Sequence, residues 1–189
     1  HSIEITSQIQ QRVITEVYKS CHLNGVYLEG TLLKPSMTVS GSWFKQEDDA
    51  ETVAKMTVET LLRCVPAAVP GIVFLSGGLS EDQASTYLNE MQHFVMTCSN
   101  VPWNLSFSFG RALQHSCLKA WGGVYEKAGH IALLERAKAN SEAKYVPHVA
   151  STTRDKQGES KFKRNNRIGA CCDYEYVDDD EIIEYEDAT

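Results

Sequence analysis

The stretch Val26–Ser36 (VYLEGTLLKPS) constrains the fold more than any other in the chain. An apolar run from Val26 to Leu33 delivers one lysine, Lys34, and Pro35 then ends the run. A near-continuous apolar segment of this length predicts a strand buried on both faces, the pattern of parallel α/β sheets. Proline cannot donate to the sheet and holds the preceding residue extended, which puts Lys34 at the strand's C-terminal end. In α/β folds that end carries the chemistry. An ammonium partly desolvated there would have a lowered pKa and suit Schiff-base chemistry. The same pattern also fits a lysine that simply reaches from a strand end to water.

Signals for alternating helices and strands surround this segment. Ile5–Cys21 repeats apolar residues at helical spacing, with Ile5, Ile9, Val13 and Val17 on one line and Ile14, Tyr18 and Cys21 beside it. That predicts an amphipathic helix packed on a sheet and stopped at Gly25. After a loop at Ser36–Glu47, Asp48 or Asp49 caps a helix facing inward through Val53, Met56 or Thr57, Thr60, Leu61 and Val65. Gly71–Leu75 (GIVFL) reads as a second buried strand ending in Ser76-Gly77-Gly78. Ser80-Glu-Asp-Gln83 is a capping-box pattern for a helix with Ala84, Tyr87, Leu88 and Met91 inward. Trp103–Phe109 predicts a third strand leading through Gly110-Arg111 into a helix at Ala112–Trp121. Past Gly122-Gly123, Val124–Tyr145 reads as a last helix with Ala128, Ile131, Leu134 and Ala137 or Lys138 on its inner face. Three strand-then-helix units in series imply a parallel sheet or barrel.

Two further strand ends resemble halves of a phosphate cradle. At Ser76-Gly77-Gly78 the backbone can approach an anion closely just before a helix. Gly110-Arg111 adds another helix start and a guanidinium fork suited to phosphate.

The chain has 189 residues, 42% of them hydrophobic and 23% charged, as in an ordinary globular domain. No run reaches about 18 apolar residues, so neither a membrane span nor a membrane partner is expected. No secretory signal is visible. The chain opens on His1 rather than methionine, which reads as a fragment or a processed form. Residues 171–189 hold nine of the 25 acids and no Lys or Arg, so the first 170 residues carry 18 basic residues against 16 acids. A polar, basic stretch at Ser151–Arg167 precedes that acidic run. Residues 1–145 therefore read as the folded part and 146–189 as a weakly ordered tail. The neighbouring acids cancel the field of Lys161–Arg167, and no nucleic-acid partner is expected. Cys21, Cys64, Cys98, Cys117, Cys171 and Cys172 show no zinc-type spacing, and the histidines form no spaced cluster. Neither a metal nor any other cofactor is expected. The first four cysteines suit buried thiols of a reducing compartment, whereas adjacent cysteines such as Cys171 and Cys172 pair poorly.

Three motifs in this order and spacing, LEGTLLKPSM at Leu28–Met37, GIVFLSGGLSEDQA at Gly71–Ala84 and LSFSFGRALQHSCLKAWGG at Leu105–Gly123, resemble class I fructose-bisphosphate aldolase. The likeness runs over roughly Ser7–Ser141. It implies a (β/α)8 TIM barrel of which this chain covers the sixth, seventh and eighth strands, the C-terminal half, plus the tail. Lys34 then forms an imine with the ketose carbonyl, allowing cleavage of fructose 1,6-bisphosphate to dihydroxyacetone phosphate and glyceraldehyde 3-phosphate. Ser76, Gly77, Gly78, Ser108, Gly110 and Arg111 would bind the substrate phosphate, and Leu75 would line the pocket. The resemblance also implies a phosphorylated sugar as ligand, a homotetramer, and a cytoplasmic or plastid location.

The chain departs from the family at Phe109, Ser36 and Ser40, where tyrosine, asparagine and proline are usual. It ends in Ala188-Thr189, with Tyr185 the nearest candidate for the closing tyrosine. The family's acid/base glutamates belong to strands one to five, so the missing N-terminal half of the barrel is an expected partner. The contrasting expectation is a non-catalytic, aldolase-derived structural or interaction subunit of a larger assembly.

Overall fold

In the computed structural model, residues 1–44, 48–98 and 100–145 are described. The expectations for the tail, including its basic and acidic runs, Cys171, Cys172 and Tyr185, lie outside these residues. In chain order the elements are α1 (Ile3–Leu23), β1 (Leu32–Leu33), α2 (Ala50–Cys64), β2 (Gly71–Phe74), α3 (Glu81–Thr97), β3 (Asn104–Phe107), α4 (Arg111–Trp121) and α5 (Glu126–Glu142). The strands form a parallel sheet in the order β1-β2-β3, the arrangement expected of consecutive βα units.

Local signals set most of these elements. Asp49 caps α2 by accepting the Thr52 N–H at 2.8 Å. Ser80 and Gln83 form the predicted capping box on α3. Val53, Thr57, Thr60, Leu61 and Val65 of the α2 segment are buried, as are Ala84, Tyr87, Leu88 and Met91 of α3. Each helix packs on the next, from α1 through α4, and their buried residues form one core cluster with those of the sheet.

The Lys34 segment departs from its expected form. Instead of one strand from Val26 to Leu33, a 3-10 turn occupies Leu28–Gly30 and the strand is only two residues long. Local bonds compete with the sheet here. The Gly30 N–H donates to the Tyr27 carbonyl at 3.2 Å, and the Thr31 hydroxyl to the Leu28 carbonyl at 2.7 Å. A glycine inside an apolar run marks such a break, and Gly30 lies so tightly under the Tyr27 ring that a Cβ would meet Cδ1 at 2.9 Å.

Nor is the sheet buried on both faces. Its register aligns Leu32, Gly71 and Asn104, then Leu33, Ile72 and Leu105, with Phe74 level with Phe107. Strand side chains alternate between faces. One face therefore carries Ile72, Phe74 and Leu105, all buried against the helices. The other carries Leu32, Lys34, Val73, Leu75, Ser106 and Ser108, none of them buried.

Two helices turn a different side inward from the one their apolar periodicity suggests. On α1, Ile5, Ile9, Val13 and Val17 are 44–57% exposed, and the buried residues are Ile3, Ser7, Ile14 and Tyr18. Contact with α2 decides this. The Ser7 and Thr60 hydroxyls are hydrogen-bonded at 2.6 Å, a polar anchor that periodicity counts against the buried face. On α5, Ile131 and Leu134 are 59% and 69% exposed, whereas Gly129 and Asn140 are buried. The close approach needs glycine, since a Cβ on Gly129 would meet the Trp121 Cβ at 2.9 Å. Arg136 and Asn140 fix the rest of that helix through α3, where Ser85 donates to Asn140 Oδ1 and receives Arg136 Nη2, each at 2.7 Å.

Cys21, Cys64, Cys98 and Cys117 are free thiols, half-buried rather than buried. Burial pushes the Cys64 thiol up to about 11 and, with smaller contributions from Cys21 and Cys64, the Tyr18 hydroxyl up to about 12. Raised acid groups stabilise the fold fully below their unfolded values and progressively less as pH climbs toward the folded ones. Urea midpoints should therefore hold steady up to about pH 8.5 and fall between about pH 9 and 12. Tyr18→Phe should flatten the upper part of that fall, and a midpoint unchanged to pH 11 in the unsubstituted protein would contradict the assignment.

Candidate active site

The predicted site residues converge on the C-terminal edge of the sheet. Two backbone bonds hold the strand ends together there: the Leu75 N–H donates to the Pro35 carbonyl at 3.0 Å and the Ser108 N–H to the Phe74 carbonyl at 2.8 Å. By register and alternation Lys34, Leu75 and Ser108 share the open face, Lys34 level with Val73 and the other two one step further along. The expected desolvation of Lys34 is absent: its side chain is exposed, because the sheet face bearing it is uncovered. Among the described residues Lys34 has no ion-pair partner.

The two glycine-bearing turns meet through Ser76. In the turn Ser76–Leu79 the Leu79 N–H donates to the Ser76 carbonyl at 3.0 Å. Gly77 sits at φ +52°, a left-handed conformation that favours glycine, and Gly77 and Gly78 are both exposed. Ser76 is buried, and its Oγ accepts the Ala112 N–H of the first turn of α4 at 3.4 Å. The S-G-G turn and the G-R helix start thus form one structure.

The two helix starts differ in what they leave free. Ser80 Oγ takes the Gln83 N–H, and Gln83 Oε1 takes the Ser80 N–H, so the start of α3 is closed by its own residues. At α4 the cap residue is Gly110, with no side-chain cap. Of its first-turn N–H groups, that of Ala112 goes to Ser76 Oγ and that of Leu113 to the Gly110 carbonyl, so the Arg111 N–H and the exposed Arg111 side chain, unpaired among the described residues, make this start the better place for an anion.

A cleft of about 710 Å³ opens beside the S-G-G turn, lined in part by Ser36, Leu75, Ser76, Gly77 and Gly78. Lys34, Ser108 and Arg111 do not line it. Ser40 lies in its wall, where its N–H and hydroxyl both bond Asp48 at 2.7 and 3.0 Å. Phe109, at the position of the family's tyrosine, is buried with its ring centroid 5.1 Å from that of Phe107. Glu29 lies in the 3-10 turn rather than in the strand that leads to Lys34. One residue of this region escaped sequence reasoning. Glu81, the first residue of α3, reaches across to α4, and a glutamate in a helix's first turn is too common to mark that role.

Among the described residues no group of three or more His, Cys, Asp or Glu side chains could hold a metal ion, and no helix is long and apolar enough to cross a membrane.

Residues 1–168 match the family Fructose-bisphosphate aldolase class-I. The cytoplasmic isozyme 2 of fructose-bisphosphate aldolase from Pisum sativum is 52% identical over 145 residues, which is 76% of this chain and 39% of the relative. The muscle-type enzyme of Lethenteron camtschaticum is 44% identical over 170 residues, covering 88% and 46%. Among solved structures, fructose-bisphosphate aldolase from Plasmodium falciparum, in a ternary complex with TRAP and a small-molecule inhibitor, superposes with a TM-score of 0.71 at 46% identity, covering 77% of this chain and 41% of that one. The chain thus spans less than half the length of these relatives.

Proposed function

This chain belongs to the class I fructose-bisphosphate aldolase family, and on that footing we propose that it provides the imine-forming lysine and the ketose-phosphate cradle of a (β/α)8 carbon–carbon lyase. Its three strands correspond in this reading to the sixth, seventh and eighth of the barrel, the C-terminal half. Lys34 Nζ attacks the ketose carbonyl, a C–N bond forms, and the carbinolamine loses water. As the bond between the third and fourth carbons breaks, its electron pair passes into the protonated imine. Glyceraldehyde 3-phosphate departs, leaving dihydroxyacetone phosphate as the enamine. The base that takes the 4-hydroxyl proton belongs to barrel strands outside this chain.

The observation that carries the reading is the shared open face of Lys34, Leu75 and Ser108 at the same sheet edge where Ser76 joins the glycine turn to the start of α4. The open face also favours work within a larger body. The uncovered side of the sheet and the exposed line Ile5, Ile9, Val13, Val17 await further barrel elements, which would desolvate Lys34. A homotetramer and a cytoplasmic or plastid setting are part of the same proposal, and the cytosolic aldolase 4 of Arabidopsis thaliana supports the first of the two settings.

Borohydride reduction in the presence of dihydroxyacetone phosphate tests the proposal. Hydride delivered to the imine carbon leaves a secondary amine, and peptide mass analysis should place that adduct on Lys34. An adduct confined to other lysines, or none at all, overturns the assignment.

A further inference from the structure

The turn Ser76–Leu79 is tied to α4 at both ends. At its start, Ser76 Oγ accepts the Ala112 N–H at 3.4 Å. Just past its end, Glu81 Oε1 accepts both the N–H and the hydroxyl of Ser116, each at 3.0 Å. Glu81 directly follows the Ser80 cap, so the capping box fixes the direction from which its side chain leaves α3. Arg136 of α5 braces the same turn of helix from the other side. Its Nη2 donates to the Glu81 carbonyl at 2.7 Å, and its Nη1 pairs with Asp82 at 3.1 Å. The region between these ties, Gly77 and Gly78, is exposed and has no side chains of its own to hold it.

We infer that Glu81 is a positioning residue for the phosphate cradle, using Ser116 to hold the start of α4 in place against the S-G-G turn. This rests on the phosphate-site reading above. Two anion-binding backbones cooperate only if their spacing is set before the ligand arrives, because ordering them on binding would cost affinity. The Glu81–Ser116 pair sets that spacing from behind. Ser116 lies five residues beyond Arg111, roughly 7 Å along the helix at 1.5 Å per residue. The carboxylate is occupied there by two donors and stands away from the anion. What the cradle needs from Glu81 is its acceptor oxygen rather than its charge.

The test measures trapping of an adduct at Lys34 against ligand concentration, with dihydroxyacetone phosphate and with unphosphorylated dihydroxyacetone. The phosphate ester should half-saturate the unsubstituted protein at the lower concentration. Glu81→Ala should raise that concentration about tenfold for the phosphate ester, the effect expected of a lost hydrogen bond to a charged group. Dihydroxyacetone should be unaffected. Glu81→Gln, which keeps an acceptor oxygen, should stay within about threefold of the unsubstituted protein. Ser116→Ala, which removes only the hydroxyl, should move the phosphate ester alone and by less, and it decides the matter if Glu81→Ala fails to fold. An unchanged phosphate-ester curve in Glu81→Ala, or an equal loss for both ligands, overturns the inference while leaving the cradle standing. If the unsubstituted protein traps both ligands equally, the cradle itself is wrong and the inference falls with it.

Discussion

Lys34→Met is expected to leave no borohydride-stable sugar adduct and to reduce whatever cleavage the protein supports by roughly 10⁴- to 10⁶-fold, as loss of a covalent nucleophile does. The amine is the electron sink's nitrogen, and no neighbour can replace it. Lys34→Arg should be equally inactive, because a guanidinium stays protonated and does not condense with ketones under these conditions. Folding should be untouched by either change. The side chain is exposed and forms no ion pair among the described residues, so stability should move by no more than about 0.5 kcal/mol. Loss of the adduct together with an unchanged urea midpoint separates chemistry from structure. An adduct that survives in Lys34→Met would end the Schiff-base reading at this position.

Phe74→Ala carries the largest expected effect on stability. Phe74 is fully buried on the central strand, facing the helix layer alongside Ile72. Removing a buried phenyl ring costs about 3–5 kcal/mol, the lost transfer energy plus the cavity left behind. Domains are stable by only about 5–15 kcal/mol, so this single change should take a large part of the whole. The uncovered opposite face of the sheet offers no packing to compensate. Urea unfolding followed by circular dichroism should show the loss as a lower midpoint. Ile72→Val, which deletes one methylene in the same layer, should cost about 0.5–1.5 kcal/mol. A loss below about 1 kcal/mol for Phe74→Ala would mean that the sheet does not pack on the helices as described.

These two residues stand one sequence step apart in parity and on opposite faces of the same sheet. That alternation explains why the site tolerates an exposed lysine. Helices cover the face of Ile72 and Phe74, and no element among the described residues buries the face of Lys34. Tolerance at Lys34 and intolerance at Phe74 would together establish which face is which.

The positions of elements and of the site were legible because their signals are local. Pro35 placed Lys34 at a strand end, Ser80 and Gln83 closed their own helix, and the three motifs brought the candidate site residues to one sheet edge in the right order. The choice of buried face was not local. On α1 the most regular apolar line is the exposed one, and Ser7 faces inward because Thr60 waits on α2. On α5 a glycine and an asparagine are buried, while Ile131 and Leu134 are not. Periodicity reports where apolar residues recur along a helix, but burial depends on which neighbour comes close enough to exclude water. The sequence by itself determined three βα units and singled out Lys34 and the S-G-G and G-R turns as the candidate site. Tertiary structure alone decided that Lys34 stands on an open face, that Ser76 joins the two turns, and that Glu81 ties α3 to α4, because each depends on contacts between residues that the chain order leaves far apart.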